Sequence, residues 1–336
     1  MRIKTSVVAG VAVVVVVVIG AVALSLFRIG LPAQSPDGRA GALRSGAPSE
    51  AKLPQTPTPE ENDGAELAKR LGTLCDRAGG AVGVAVTHVE TGRSVAIQGT
   101  RQLPLYSVFK LPLAVSVLQD VEENRLRLDQ KVRVTPAEAA PGWKGNSDLW
   151  REPVERTVAE LLELSIVRSD NTSSDKLLEL VGGPAAVTAR MRSLGLENID
   201  IRTSVREFAG RRENPNTGTA TDLAHLLARL QKGQVLEPPQ LRMLLGFMGR
   251  STIGRQRLRG DLPVGTPVAD KTGTGDEGSV TNDVGLITLP QGRGHLAMAV
   301  LISGSKLSAE AQEKLIAELA RAAYDAHVAG AAPGAQ

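Results

Sequence analysis

Leu103-Pro-Leu-Tyr-Ser-Val-Phe-Lys110 organises the reading of this chain, because it sets a serine three residues before a lysine and leads into an apolar segment that contains Pro112. A serine hydroxyl is a weak nucleophile until a base takes its proton. Helix positions three apart share a face, so the Lys110 amine can lie against the Ser107 hydroxyl. Pro112 fits only the first turn of a helix, since further in its missing N–H and its ring cost about 3 kcal/mol. The helix read over 111–121 therefore starts close to Ser107, and the serine lies where free amides and the helix dipole favour negative charge. Ser-x-x-Lys alone is a common string, equally readable as a helix start with a surface lysine. Here Ser169-Asp170-Asn171 follows about sixty residues later and Lys271-Thr272-Gly273 about a hundred beyond that, and the ordered set of three is specific where one is not.

The 336 residues suffice for one large domain or two small ones. Val7 to Phe27 is an almost unbroken apolar run, with Arg2 and Lys4 ahead of it and Arg28 behind. About twenty apolar residues span a bilayer, and basic residues ahead of the run keep that end in the cytoplasm. Residues 1–6 are expected in the cytoplasm and 7–27 as a transmembrane anchor. A cleaved signal peptide, cut after Ala21-Val22-Ala23, is the alternative; the long run and the apolar residues beyond Ala23 favour the anchor. No cysteine near the end of the run suggests a lipoprotein, and either way the remainder is exported. Residues 28–63, as in Pro54-Gln-Thr-Pro-Thr-Pro-Glu60, lack the periodicity that buries a core and read as a flexible tether. A globular domain is expected over 64–328 and a disordered tail over 329–336.

Lys and Arg outnumber Asp and Glu by 39 to 36, and two of the surplus, Arg2 and Lys4, precede the apolar run. With no basic patch interleaved with aromatics, nucleic acid is not an expected partner. Cys75 is the single cysteine, which excludes an internal disulfide and reads as a small buried hydrophobe on a helix over 65–77. His88, His225, His295 and His327 show no ligand spacing, so neither metal nor cofactor is expected, and a monomer is the default.

Val82, Val84 and Val86 alternate, and residues 82–88 and 94–98 read as a hairpin turning at Glu90-Thr-Gly-Arg93. Helical spacing dominates 111–121, 158–167, 173–180, 184–194 and 221–230. Strands return at 268–271, 284–289 and 295–303, before a closing helix over 308–327. Two early strands, a helical middle, then three strands and a helix imply an α+β fold with one inserted helical subdomain.

With these segments placed, the chain resembles the serine β-lactamase and penicillin-binding family, most closely class A, over roughly residues 65–327. The resemblance rests on Leu103–Lys110, on Ser169-Asp-Asn-Thr with Leu180-Val-Gly-Gly-Pro184, and on Asp270-Lys-Thr-Gly-Thr274 with Asn282-Asp-Val-Gly-Leu286. It implies an antiparallel five-stranded sheet flanked by helices. It also implies that Ser107 attacks a β-lactam carbonyl to give an acyl-enzyme, that Lys110 helps remove its proton, and that Ser169 relays a proton to the leaving nitrogen. By the same resemblance Asn171 would hold the substrate's side-chain amide, Lys271 and Thr272 would face its carboxylate, and Gly273 and Thr274 would complete the substrate-binding edge. On that resemblance the amides of Ser107 and Thr274 would form the oxyanion hole, a donor pair worth several kcal/mol. Arg257 matches the carboxylate-binding arginine of some members, or belongs to a solvated cluster with Arg255 and Arg259. Trp143 and Trp150 precede the Ser169 motif, where relatives carry a rim residue; plain packing is the other reading.

The sequence departs from the family on the Ω-shaped loop. Class A enzymes deacylate with a glutamate that acts through a water. Counting back from Asn216-Thr-Gly-Thr-Ala-Thr-Asp-Leu223 puts that position at Thr203 or Ser204, with no carboxylate. Asp200, Glu207 and Glu213 are the nearest acids, and Asn216 stands where the aspartate of a loop-tying Arg–Asp pair is expected, with Arg202 as the basic candidate. Either the loop is rebuilt so that Glu207 reaches the water, or fast deacylation is lost; a one-turn shift disrupts the loop register, which favours loss. The alternatives in activity are a β-lactam hydrolase, a penicillin-binding or peptidase-like enzyme on an acyl-peptide, and a non-hydrolytic sensor that uses the acylated state.

Overall fold

The chain builds its main sheet from its two ends. Strands β1 (Ala81–His88) and β2 (Ser94–Ile97) come early, short strands β3 (Leu103–Pro104), β4 (Lys131–Val134), β5 (Val154–Thr157) and β6 (Thr217–Gly218) lie between, and β7 (Val268–Thr274), β8 (Val280–Thr288) and β9 (His295–Ser303) come late. The order across the sheet is β2-β1-β9-β8-β7, and every pair is antiparallel. Between and around the strands run α1 (Pro59–Asp76), α2 (Lys110–Glu122), α3 (Val158–Val167), α4 (Asn171–Leu180), α5 (Pro184–Ser193), α6 (Val205–Arg211), α7 (Ala220–Gln231), α8 (Pro238–Gly249) and α9 (Ala309–Ala329). This is the α+β arrangement the sequence implies. The computed structural model describes residues 59–142 and 144–329; the apolar run Val7 to Phe27, most of the tether, Trp143 and residues 330–336 lie outside them. Among the described residues no helix is long and apolar enough to cross a membrane.

Period-two alternation here separates two cores rather than core from solvent. Val82, Val84 and Val86 of β1 and Met298, Val300 and Ile302 of β9 join Leu71 of α1 and Leu315, Ile316 and Leu319 of α9. Their alternates Ala85, Ala297, Ala299 and Leu301 join the larger core with α2 and α7. Leu111, Leu113, Val115, Val117 and Leu118 of α2 are all fully buried, as a helix apolar on every side must be.

Four boundaries differ from the sequence reading. The first helix begins at Pro59, inside the expected tether, with proline in its favoured first-turn place. Ser107 sits in a 3-10 turn, Tyr106–Phe109, and the α-helix proper starts at Lys110, so Pro112 stays within its first turn. Strand β7 continues to Thr274 and β8 starts at Val280, because Thr272, Thr281, Asn282 and Asp283 are buried polar residues that interrupt the apolar pattern without ending the strands. The sequence reading omits α6 and α8 altogether.

Candidate active site

The nucleophile turn is braced from β7 and β8. Leu105 accepts the Val108 amide at 3.1 Å, and Tyr106 between them has φ +45°, a left-handed conformation. Asn282 Nδ2 donates to Pro104 O at 2.8 Å and to Leu105 O at 3.2 Å, while its Oδ1 accepts the Ile302 amide at 3.0 Å. Gly273 allows the approach: a Cβ there would lie 2.4 Å from Leu105 O and 3.2 Å from Val108 N. The strand carrying Thr274 thus packs directly on the turn carrying Ser107.

Ser169 lies at the centre of the polar corner, also left-handed at φ +51°, a strain of about 1–3 kcal/mol. Its Oγ receives Lys110 Nζ at 3.2 Å and Lys271 Nζ at 3.0 Å. Lys110 Nζ also donates to Ser169 O and Asn171 Oδ1, both at 2.6 Å, and Lys271 Nζ to Thr272 O at 2.9 Å. Asn171 Nδ2 donates to Pro141 O at 2.6 Å, which ties the 140–142 segment over α4. The sequence places the Lys110 amine against Ser107; its three hydrogen bonds here go to Ser169 and Asn171 instead. Both lysines are buried. Burial, then Lys271, pushes the Lys110 amine well below the ordinary lysine range, while Asp170 and Asp175 oppose the shift. Burial, with Arg257 adding to it, lowers Lys271 to about 8 against the pull of Asp270 and Asp283.

Asp170 caps α4, its Oδ1 accepting the Ser173 amide and hydroxyl at 2.7 Å each. Its Oδ2 accepts Trp150 Nε1 at 3.2 Å; Trp150 is buried, so of its two readings packing holds. Arg257 is buried too, and is not part of a solvated cluster: Nη2 donates to Thr274 Oγ1 at 2.7 Å, Nη1 to Gly273 O at 3.2 Å and Asn282 O at 2.9 Å, and Nε to Glu313 at 3.0 Å. Of its neighbours, Arg259 ion-pairs with buried Asp270 and Arg255 alone is exposed.

The loop after α5 is held differently. Asn216 Oδ1 accepts the amides of Arg202 at 2.8 Å and Thr203 at 3.0 Å, and its Nδ2 donates to Thr203 O at 3.1 Å. The Arg202 guanidinium pairs with Asp200 at 2.7 Å and also reaches across the loop, Nη1 donating to Pro215 O at 3.4 Å. Ser204 caps α6, and the Glu207 carboxylate turns back to accept the Ser204 amide at 3.0 Å. Glu207, the acid read as a catalytic candidate, is exposed, and its carboxylate is engaged in the capping box. The sequence reading missed Asn282, the brace of the nucleophile turn, and Asp175, whose oxygens accept the amides of Val205 at 2.7 Å and Arg206 at 3.0 Å. A polar residue within the apolar pattern of β8 is the local signal of Asn282; α4 is polar from Asn171 to Lys176 and gives no such signal for Asp175. Phe208 of α6 meets Tyr106 edge-on, 5.8 Å between ring centroids, and Arg212 ion-pairs with Asp276 at 2.5 Å. Among the described residues no group of three or more His, Cys, Asp or Glu could hold a metal ion.

A hydroxyl shared by two buried amines, one of them on Lys110 at the end of the turn that carries Ser107, is suited to moving a proton off an alcohol and onto a leaving group, the chemistry of a serine hydrolase. Comparison with known proteins makes the assignment narrower. The profile of the β-lactamase enzyme family matches residues 66–327. The extended-spectrum β-lactamase PER-1 of Pseudomonas aeruginosa is 34% identical over 255 residues, covering 72% of this chain and 81% of its own. A β-lactamase of Streptomyces albus G is 31% identical over 273 residues, 76% of this chain and 83% of its own. The crystal structure of a β-lactamase from Chitinophaga pinensis superposes with a TM-score of 0.74 at 33% identity, over 78% of this chain and 99% of that one. This chain belongs to the β-lactamase enzyme family, with the fold of its class A serine members.

Proposed function

We propose that this protein opens β-lactam rings through an acyl-enzyme on Ser107 and releases the acyl group slowly. The observation that carries the reading is Ser169 Oγ held at 3.2 Å from Lys110 Nζ and 3.0 Å from Lys271 Nζ. Neutral Lys110 takes the Ser107 proton as Oγ attacks the carbonyl carbon. The ring C–N bond then breaks, and Ser169 passes a proton from the amine side to the leaving nitrogen. The amides of Ser107 and Thr274 stabilise the oxyanion, and Asn171 orients the acyl side chain once substrate displaces its bond to Pro141. Protonated Lys271, with Thr272, Gly273 and Thr274, receives the substrate carboxylate. Arg257 supplies positive charge behind Thr274 Oγ1.

Slow release follows from the loop. Thr203 and Ser204 offer no carboxylate, and Glu207 is engaged at the α6 cap. The apolar run Val7 to Phe27 with Arg2 and Lys4 ahead of it supports export, with the catalytic domain tethered outside the cytoplasmic membrane. The test mixes the full-length chain, in detergent micelles, with a chromogenic cephalosporin while mass spectrometry follows the protein. A burst of about one equivalent and a lasting adduct on Ser107 are expected. Rapid turnover without an adduct rejects slow deacylation, and neither adduct nor turnover rejects the reading itself.

A further inference from the structure

One buried carboxylate links the corner around Ser169 to the loop. Asn171 and Asp175 lie four apart on α4 and share a face. Asn171 Oδ1 takes Lys110 Nζ at 2.6 Å, while the Asp175 oxygens take the first two amides of α6 at 2.7 and 3.0 Å. Asp175 is only 3% exposed, a depth that a carboxylate tolerates only with hydrogen bonds and compensating charge. The charged groups that act on Lys110 are Lys271 from β7 and Asp170 and Asp175 from α4; those that act on Asp175 are Lys110 and Arg206. Asp170 already accepts from Ser173 and Trp150, so both of its oxygens are engaged.

We infer that Asp175 is a positioning residue for both steps: its negative charge stabilises the proton that Lys110 takes from Ser107, and its two oxygens fix the N-terminus of α6. The inference rests on Ser107 being acylated through Lys110. In that step the Oγ–H bond breaks, an Nζ–H bond forms, and the Oγ electron pair forms the bond to the carbonyl carbon. Lys110 becomes an ammonium in a buried site where Asp270 and Asp283 act on Lys271, so the new cation depends on the anions on its own side. Asp170 and Asp175 are the two that act on it, and Asp175 alone also holds the loop.

The test reads the Lys110 midpoint directly, from the 13Cε resonance of labelled lysine in the full-length chain, alongside the pH profile of adduct formation. Removing a nearby anion lowers proton affinity. Asp175→Asn is therefore expected to lower the Lys110 midpoint by about one pH unit and to move the acidic limb of acylation the same way. Asp175→Glu, which keeps the charge, returns the midpoint toward the wild-type value. Ser204→Ala loosens the α6 cap without removing charge and leaves it in place. An even loss of rate with an unmoved midpoint in Asp175→Asn overturns the inference while Ser107 is still acylated. If the wild-type chain forms no adduct, the functional reading fails, yet the midpoints still test Asp175. In the wild type the Asp175 13Cγ resonance must also inflect at the Lys110 midpoint, and its absence overturns the coupling even if Asp175→Asn does not fold.

Discussion

The corner around Ser169 and the loop from Thr203 to Asn216 both lean on α4, yet they are built from opposite materials. The corner gathers two buried amines around one hydroxyl, with Asp170 and Asp175 behind Lys110 and Asp270 and Asp283 behind Lys271. The loop is tied through backbone amides, by the neutral amide Asn216, by the Asp175 carboxylate of α4 and by a capping box that engages Glu207. Buried amines of lowered basicity are equipment for moving protons. An amide and a cap fix backbone and move none. On the proposed reading the difference separates the two halves of an acyl-enzyme cycle: the corner would serve the half that forms the ester, and the loop would leave the half that hydrolyses it without a base.

The most severe test of that contrast removes the shared nucleophile. Ser107→Ala should lower both adduct formation and turnover by about a thousandfold or more, read by mass spectrometry and the chromogenic assay. Turnover that survives would mean the corner is not where the chemistry happens. Next in size is an attempt to equip the loop. A positioned general base contributes about 10²- to 10⁴-fold, and Ser204 begins the segment that Asp175 anchors. Ser204→Glu should shorten the adduct lifetime by about tenfold or more, the lower end reflecting a placement not refined for the task. An unchanged lifetime would mean that slow release has another cause.

A smaller effect sharpens the electrostatics of the corner. Acylation should rise with pH as Lys110 loses its proton, at a midpoint well below that of an ordinary lysine. It should fall again near pH 8, where Lys271 loses the charge that receives the substrate carboxylate. Lys271→Arg keeps a positive charge at every accessible pH, so the alkaline limb should disappear from the rate of adduct formation. A limb that persists near 8 in that variant assigns the titration to another group.

The amino-acid sequence itself carries much of the fold, for reasons that differ by residue. The strands of β1 and β9 and the long closing helix carry strong periodic patterns, because they face cores on regular sides. The three motifs supply the side chains of one hydrogen-bonded corner, in which Lys110, Ser169, Asn171 and Lys271 meet one turn beyond Ser107. The contacts inside that corner were not readable: Lys110 reaches Ser169 and Asn171, a choice set by α4 and not by the spacing to Ser107. Helix α6 is short and has no buried residue, so it offers no apolar stripe. Helix α8 opens on Pro238-Pro239, which reads as a break although proline suits a first turn. Asn282 and Asp175 act through partners far away in sequence, and no local window shows that.

The smallest expected effect discriminates most finely between the two regions, because it concerns the one acid that could have made them alike. Glu207 accepts the Ser204 amide at 3.0 Å while the Ser204 hydroxyl accepts its amide at 3.2 Å, a reciprocal box that glutamine also forms. Glu207→Gln should therefore leave the adduct lifetime unchanged, with little loss of stability. Glu207→Ala removes the acceptor and should cost about 0.5–1 kcal/mol in denaturant unfolding, again without altering the lifetime. Were the carboxylate to swing to the water in the acylated state, Gln would lengthen the lifetime as much as Ala does, since both remove the base. Equal lifetimes across Glu, Gln and Ala, with stability falling only for Ala, identify Glu207 as a cap.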